Sequence, residues 1–393
     1  MNGIILKNVN VYAPEPLGVR DIFIFGGKIV KIEKPGAASD FSSLPISLGA
    51  VNGSGMVAVP GIVDGHVHFN GAGGEGGPLY RTPPTALSEL TAAGITTAAG
   101  LLGTDGFTRS LRDLLMKARS LSAEGITAKI YTGAYQLPGP FLTTDTASDI
   151  ILVDEVVGLK IAFSDHRSSH ASLQTLREAV SQARAGGILA GKKGAVMVHI
   201  GEGPERLRPL EEAISGTDIP ITQFIPTHLN RSARVLGEAA EWAKKGGYVD
   251  LSAGVSARHG FSSAVDPSRA VRFLLDTGAR EGQITMSSDG NGVMTVTDPA
   301  TGKARPLVSP VKALYEEFAV MIRDGIPAET AVRIVSTNPA DRLGLSQKGR
   351  IGEGMDGDVL LIREDNLELD TVVAGGKIMV REGRAVQKGL FEK

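Results

Sequence analysis

The stretch Gly65-His66-Val67-His68-Phe69-Asn70-Gly71 decides how the rest of the chain is read. Upstream of it runs Val57-Ala58-Val59-Pro60-Gly61-Ile62-Val63-Asp64. The apolar pair Ile62 and Val63, leading to His66 and His68, reads as the end of a buried strand that passes into a glycine loop. Residues i and i+2 of a strand face the same way. His66 and His68 therefore project two imidazoles to one side where the strand stops. Two neutral imidazoles aimed at one point make half of a zinc-type site. Two satisfied core histidines would leave the same pattern, so the remaining sequence has to decide.

Composition narrows the field. A chain of 393 residues has room for two or three average domains, or for one barrel with an appendage. Its 42% apolar and 21% charged residues suit an ordinary soluble protein. A net charge of −2 carries no basic footprint for nucleic acid and no polybasic membrane surface. No apolar run reaches the ~18 residues of a membrane span. Met1-Asn2-Gly3-Ile4-Ile5-Leu6-Lys7 lacks the features of a signal peptide. With no cysteine, disulfides and thiolate ligands are excluded, and any metal falls to His, Asp, Glu or a less usual ligand. The expected location is the cytoplasm. The 50 glycines imply many tight turns.

Both ends of the chain read as β-structure. Ile4-Ile5-Leu6, Val9-Asn10-Val11-Tyr12, Asp21-Ile22-Phe23-Ile24 and Lys28-Ile29-Val30-Lys31-Ile32 are short runs rich in β-branched residues. Runs at 358–362, 370–373 and 377–380 look alike, and Gly-Gly-Lys-Ile occurs at 26–29 and again at 375–378 as a hairpin turn. Neither end has strands enough to stand alone. Residues 1–59 and 347–393 are therefore expected to pair into one small β-sandwich domain.

Residues 60–346 alternate strand and helix. After the opening strand, candidates lie at 96–102, 128–132, 158–162, 195–199, 223–227, 248–252 and 284–288. Helical patterns at 86–93, 109–123, 173–185, 205–214, 233–245 and 267–277 separate them, and 311–324 and 328–335 follow. Eight alternations predict an α/β fold of (β/α)8 TIM-type barrel form, with a doubly wound open sheet as the alternative. Chemistry in such a barrel sits at the C-terminal ends of the strands. Reactive residues do fall there. Lys160 lies in the fourth strand segment, His199 ends the fifth, His228 follows the sixth and Asp289 follows the eighth. Four of the seven histidines occupy strand ends, while His166, His170 and His259 read as polar surface. That placement favours a metal centre.

The ordered set resembles the amidohydrolase superfamily: His-x-His after strand one, then Lys, His, His and Asp after strands four, five, six and eight. Gly73-Gly74-Glu75, Leu101-Leu102-Gly103-Thr104-Asp105, Thr132-Gly133-Ala134-Tyr135, Ser164-Asp165-His166-Arg167-Ser168, Pro226-Thr227-His228-Leu229-Asn230-Arg231 and Ser287-Ser288-Asp289-Gly290-Asn291-Gly292 look like the isoaspartyl dipeptidase branch. That resemblance implies a metallo-dipeptidase hydrolysing the isopeptide bond of β-aspartyl dipeptides. It implies two Zn2+ ions, with His66, His68 and Asp289 on one and His199 and His228 on the other. Lys160, carboxylated by CO2, would bridge them together with a hydroxide. An ammonium cannot ligate a cation, whereas a carbamate is an anionic oxygen ligand. Burial beside two cations favours the neutral amine that CO2 attacks. A salt-bridged lysine is the ordinary alternative. The bridging hydroxide would attack the carbonyl, with Asp289 as general base and acid or as ligand alone.

The resemblance also implies a substrate pocket. Glu75 would meet the α-amino group, Tyr135 the carbonyl oxygen, and Arg167 and Arg231 the carboxylates. Gly73 and Thr104 would complete it. A surface ion pair is the bland reading of either arginine. Where that branch carries a serine after the Asp-Gly-Asn-Gly run, this chain has Val293. The same scaffold could instead serve cyclic amides, as in hydantoinase- or dihydroorotase-like proteins, or be non-catalytic. The resemblance implies a homo-oligomer, with an octamer as the candidate state. Gly71-Ala72-Gly73-Gly74-Glu75-Gly76 matches the dinucleotide fingerprint, but Gly77-Pro78 and Pro83-Pro84 prevent a helix from opening there.

Overall fold

The computed structural model describes residues 2–36, 47–297, 301–302 and 304–392. Of the expected terminal domain, Met1, Lys393 and residues 37–46 lie outside the described residues. The chain opens with β1 (Asn2–Tyr12), β2 (Pro16–Phe25), β3 (Lys28–Glu33), β4 (Ser47–Asn52) and β5 (Met56–Pro60). The central strands are β6 (Ile62–Val67), β7 (Ile95–Gly100), β8 (Thr127–Gly133), β9 (Val156–Phe163), β10 (Ala195–Ile200), β11 (Phe224–Thr227), β12 (Val249–Ser252) and β13 (Ile284–Ser287). A hairpin of β14 (Val293–Thr297) and β15 (Ala304–Val308) follows, then β16 (Val359–Arg363), β17 (Leu369–Ala374), β18 (Lys377–Arg381) and β19 (Arg384–Ala385).

The two ends do join. One nine-stranded sheet runs β19-β18-β17-β16-β5-β1-β2-β3, with β4 added beside β1. The junction is antiparallel pairing of β16 with β5, Val359 opposite Pro60 and Arg363 opposite Met56. One core cluster gathers Leu6, Val11, Ile22 and Ile24 from the N-terminal strands with Val359, Leu361 and Val373 from the C-terminal ones. The two Gly-Gly-Lys turns meet. A Cβ on Gly376 would stand 2.8 Å from Gly27 Cα, and Gly357 N–H donates to Gly27 O at 2.7 Å. Backbone this close leaves no room for a side chain.

The central strands form a parallel barrel whose main-chain ladder is broken twice. Strands β6 to β11 make one six-stranded sheet, and β12 and β13 pair separately. One seam lies between β11 and β12, the other between β13 and β6. Closure at the second seam rests on a single bridge, Val67 opposite Gly290, where His68 N–H donates to Gly290 O at 2.8 Å. This contact excludes the open doubly wound sheet. Val249, Leu251 and Ile284 pack with the helix layer, while Val63, Leu101, Tyr131 and Met197 belong to a separate cluster. The helices Leu111–Glu124, Leu173–Ala190 and Ala233–Lys244 begin at Ser110, Ser172 and Ser232, whose hydroxyls accept an N–H of the first turn.

Three features depart from the sequence reading. The terminal sheet runs one residue beyond the expected boundary at 59, since β5 ends at Pro60 and Gly61 alone separates it from β6. The helix Thr146–Leu152 and the β14–β15 hairpin add elements that periodicity did not suggest. The helical pattern at 328–335 becomes Ala328–Val332, a π-turn at Arg333–Thr337 and a third piece, Asn338–Leu343. No helix among the described residues is long and apolar enough to cross a membrane.

Gly376→Ala tests the contact between the two turns. Its backbone has φ +72° and its Cβ would press on Gly27. The variant should lose about 1–3 kcal/mol of stability in a urea titration, with metal content unchanged.

Candidate functional site

The residues singled out from strand ends converge at one mouth of the barrel. His66 Nε2 and His68 Nε2 each stand 3.2 Å from Asp289 Oδ1, and His228 Nδ1 is 3.9 Å from Asp289 Oδ2. The His66 ring centroid lies 5.6 Å from that of His68 and 5.1 Å from that of His228. The reading that His66 and His68 face one way therefore holds in the structure. Gly103 makes room for them, since a Cβ there would lie 2.8 Å from His68 Cε1. His228 and Asp289 both take left-handed backbone, at φ 66° and 50°. Such conformations in non-glycine residues gather at functional sites.

Several buried partners orient this cluster. Asp64 Oδ1 accepts the His66 and Ser288 N–H groups, each at 3.2 Å, and so ties the end of β6 to the residue after β13. Burial pushes the Asp64 carboxyl up to about 7. Ser252 Oγ meets His228 Nδ1 at 2.6 Å. Burial drives the His66 imidazolium down to about 3 and lowers His199 and His228 well below the usual histidine range. All three are therefore neutral, the form that ligates metals. Asp289 is held well below the carboxylate range: burial opposes this, but electrostatic coupling to His66 and His228 and the hydrogen bonds of His66 and His68 prevail.

A divalent cation fits this donor set. His66, His228 and Asp289 each offer a ligand atom within 4.8 Å of the others. His66 Nδ1, His68 Nδ1 and Lys160 Nζ are buried without a hydrogen-bond partner. Lys160 is fully buried, and burial pushes its ammonium down to about 7. The salt-bridged alternative for Lys160 does not hold, because its amine has no such partner.

His199 stands differently. Its ring lies 4.6 Å from that of His228, but both nitrogens are engaged: Nδ1 with Tyr135 OH at 2.6 Å and Nε2 with Asp165 Oδ2 at 2.8 Å. Ligation through His199 would require one of those bonds to be given up. Asp165 also receives Arg167 through Nε at 2.8 Å and Nη2 at 2.7 Å. Burial works to raise the Asp165 carboxyl, but bonds from Arg167 and His199 hold it far below its ordinary range.

Beside the cluster opens a cleft of about 430 Å3. Glu75, Tyr135, Arg167 and Arg231 line it, together with Asp165, His166, Glu202, Phe261 and residues Val293 to Val296 of β14. Arg231 is half-buried, and its Nε is enclosed without a hydrogen-bond partner among the described residues. Glu75 touches His166 Nε2 and lies 3.9 Å from Arg167 Nε. His166 is exposed as expected, yet it belongs to the cleft. Gly73 and Thr104 stand outside the lining: Gly73 bridges to Arg81, and Thr104 O accepts from Gln136 at 3.3 Å. Arg167 gives two of its five N–H donors, at Nε and Nη2, to Asp165, which fixes the guanidinium at the wall of the cleft. That pairing, and the hydrogen bonds of Asp64, Ser252 and Asp250, escaped the sequence reading. Alternating polar residues in β12 and β13 were the available signal.

Residues 57–379 match the Amidohydrolase family model. The chain belongs to the amidohydrolase family. Two structures of beta-aspartyl dipeptidase from Fervidobacterium islandicum AW-1 resemble it along its whole length. One, in complex with beta-Asp-Leu dipeptide, is 34% identical with TM-score 0.88 and covers 98% of each chain. The other is 35% identical with TM-score 0.89, covering 99% of this chain and 100% of that one. A dihydropyrimidinase from Brevibacillus agri NCHU1002, 19% identical with TM-score 0.68 over 98% of this chain and 97% of that one, shares the fold. An allantoinase from Desulfitobacterium hafniense strain Y51 is 38% identical over 93 residues, 23% of this chain and 18% of that protein. The chain thus aligns with less than a fifth of that relative.

Burial of Lys160 has a measurable signature in this amidohydrolase. Its amine falls from an ordinary 10.5 to about 7, so between those values the unfolded chain binds a proton that the folded chain does not. Stability of metal-depleted protein should therefore rise with pH across that window. Lys160→Met should remove this part of the slope, as read from urea midpoints of parent and variant at pH 7 to 9.5.

Proposed function

We propose that this amidohydrolase cleaves the isopeptide bond of β-aspartyl dipeptides at a pair of zinc ions. The carrying observation is the pairing of a buried His66–His68–His228–Asp289 cluster with a cleft lined by Arg231 and Glu75. A β-aspartyl dipeptide has two carboxylates and one ammonium, which suits those charges. Likeness to the Fervidobacterium beta-aspartyl dipeptidase over the full length supports the same substrate class.

In this reading His66, His68 and Asp289 would hold one ion and His199 and His228 the other, with carboxylated Lys160 serving as a further ligand. The metal pair, when bound, supplies Lewis acidity toward the scissile carbonyl and lowers the pKa of the attacking water. The protein's own groups do the rest. Arg231 takes a carboxylate in charge-assisted hydrogen bonds, and Glu75 pairs with the α-ammonium. Arg167, tethered by Asp165, adds positive field beside Tyr135, whose ring lies 5.4 Å away. Burial keeps the Tyr135 phenol protonated, so once its hydrogen bond to His199 Nδ1 is given up it can donate to the carbonyl oxygen as negative charge develops there. Asp289 accepts the proton of the attacking water and passes it to the leaving nitrogen. Aspartate and a free amino acid result.

Purified protein should contain zinc and hydrolyse β-Asp-Leu, with activity lost on exhaustive chelation. Turnover of hydantoin in its place would identify a cyclic-amide hydrolase, and metal without turnover of either substrate would refute the specificity. Lys160→Ala should lose most metal and activity, with partial rescue by small carboxylic acids. Unchanged metal content would count against the carbamate. Arg231→Ala should lower kcat/KM by about ten- to hundredfold while zinc content is kept.

A further inference from the structure

The barrel ladder stops between β11 and β12, so main-chain pairing alone does not set how those strands lie. A buried carboxylate occupies that seam. Asp250, on β12, is 2% exposed. Its Oδ2 accepts Thr227 Oγ1 from β11 at 2.6 Å and Ser287 Oγ from β13 at 2.7 Å. Its Oδ1 accepts Thr285 Oγ1, also from β13, at 2.7 Å. Three hydroxyls from two strands thus converge on one carboxylate of a third.

The donors sit next to the metal cluster. Thr227 immediately precedes His228, and Ser287 stands two residues before Asp289. Both cluster residues have left-handed backbone, outside any regular ladder. On β12 itself Ser252, two residues beyond Asp250 and on the same face, meets His228 Nδ1 at 2.6 Å. Strand β12 contributes no ligand, yet it contacts both strands that do.

We propose that Asp250 is a positioning residue for the metal ligands. It gathers the ends of β11 and β13 so that His228 and Asp289 face one another across a seam with little backbone support. The inference rests on reading the His66–His68–His228–Asp289 cluster as a metal site. A carboxylate suits the task better than an amide. It offers lone pairs only, so all three hydroxyls must point inward, and charge-assisted bonds of this kind are shorter and stronger than neutral ones.

The test compares zinc affinity, by competition with a chromogenic chelator, with urea midpoints of the metal-free proteins. Asp250→Asn keeps the volume and removes the charge. It should retain the parent's circular dichroism and bind zinc ten- to a hundredfold more weakly, the range for loss of a partner that orients ligands. Asp358→Asn is the control for losing a buried carboxylate elsewhere. It pairs with Lys348 at 2.6 Å in the terminal sheet and should lower the urea midpoint while keeping zinc affinity. If Asp250→Asn does not fold, Thr285→Val removes one hydroxyl from a strand position away from His228 and should weaken zinc three- to tenfold. Zinc bound by the folded variants as tightly as by the parent, or weakened equally by Asp358→Asn, overturns the positioning role alone. A parent that takes up no zinc overturns the metal reading, and this inference with it.

Discussion

The structure turns on one carboxylate set among imidazoles. Asp289 Oδ1 lies 3.2 Å from both His66 Nε2 and His68 Nε2, in a region that excludes most solvent. Charged groups are costly in such a place unless they are paired. The protein meets this constraint by keeping His66 and His228 neutral and leaving Asp289 as the anion. Burial keeps the Lys160 amine toward neutrality as well. The same desolvation that would penalise a charged histidine favours the neutral ring, whose lone pair can ligate a metal. Low dielectric thus serves ligation, and the fold has only to aim the groups.

Aiming is divided between backbone and side chains. On the side of β9 and β10, a regular parallel ladder does it, with Met197 opposite Lys160 and His199 opposite Ala162. At the seams, polar side chains take over: Asp64 joins β6 to the end of β13, and Asp250 joins β11 and β13 to β12. The barrel wall is therefore stiffest around Lys160 and most dependent on individual hydrogen bonds around His228 and Asp289. The cleft follows the same division. Arg167 is fixed by Asp165, while the Nε of Arg231 is buried without a partner.

Much of this was legible from sequence because it depends on short periods. The strand candidates at 195–199 and 284–288 agree with β10 (Ala195–Ile200) and β13 (Ile284–Ser287) to within one residue, since buried parallel strands are nearly continuous apolar runs bounded by turns. The spacing of His66 and His68 was equally plain, because a period of two fixes their direction. What stayed hidden depends on contacts across the fold. No local pattern pairs His199 with Asp165, or announces that Arg167 gives two of its donors to Asp165. The helix Thr146–Leu152 is only seven residues long, and the β14 and β15 strands have five each, too short for periodicity to stand out. The expected end of the terminal domain, at residue 59, falls one residue short of the end of β5, because β5 and β6 are one apolar stretch. Only the close approach of Gly61 to Thr96 marks where one sheet ends and the other begins.

That boundary bears on the order of events during synthesis. Strand β5 pairs with β1 through Asn10 and Val11 on one edge, and its other edge is covered only by β16. As the chain leaves the ribosome, β5 emerges early and β16 near the end. Its open edge must wait while the whole barrel is made, an exposed template for any other extended segment. Completion of the terminal sheet thus follows synthesis of the barrel, and a nascent chain stalled before β16 would hold a barrel tethered to an unfinished strand.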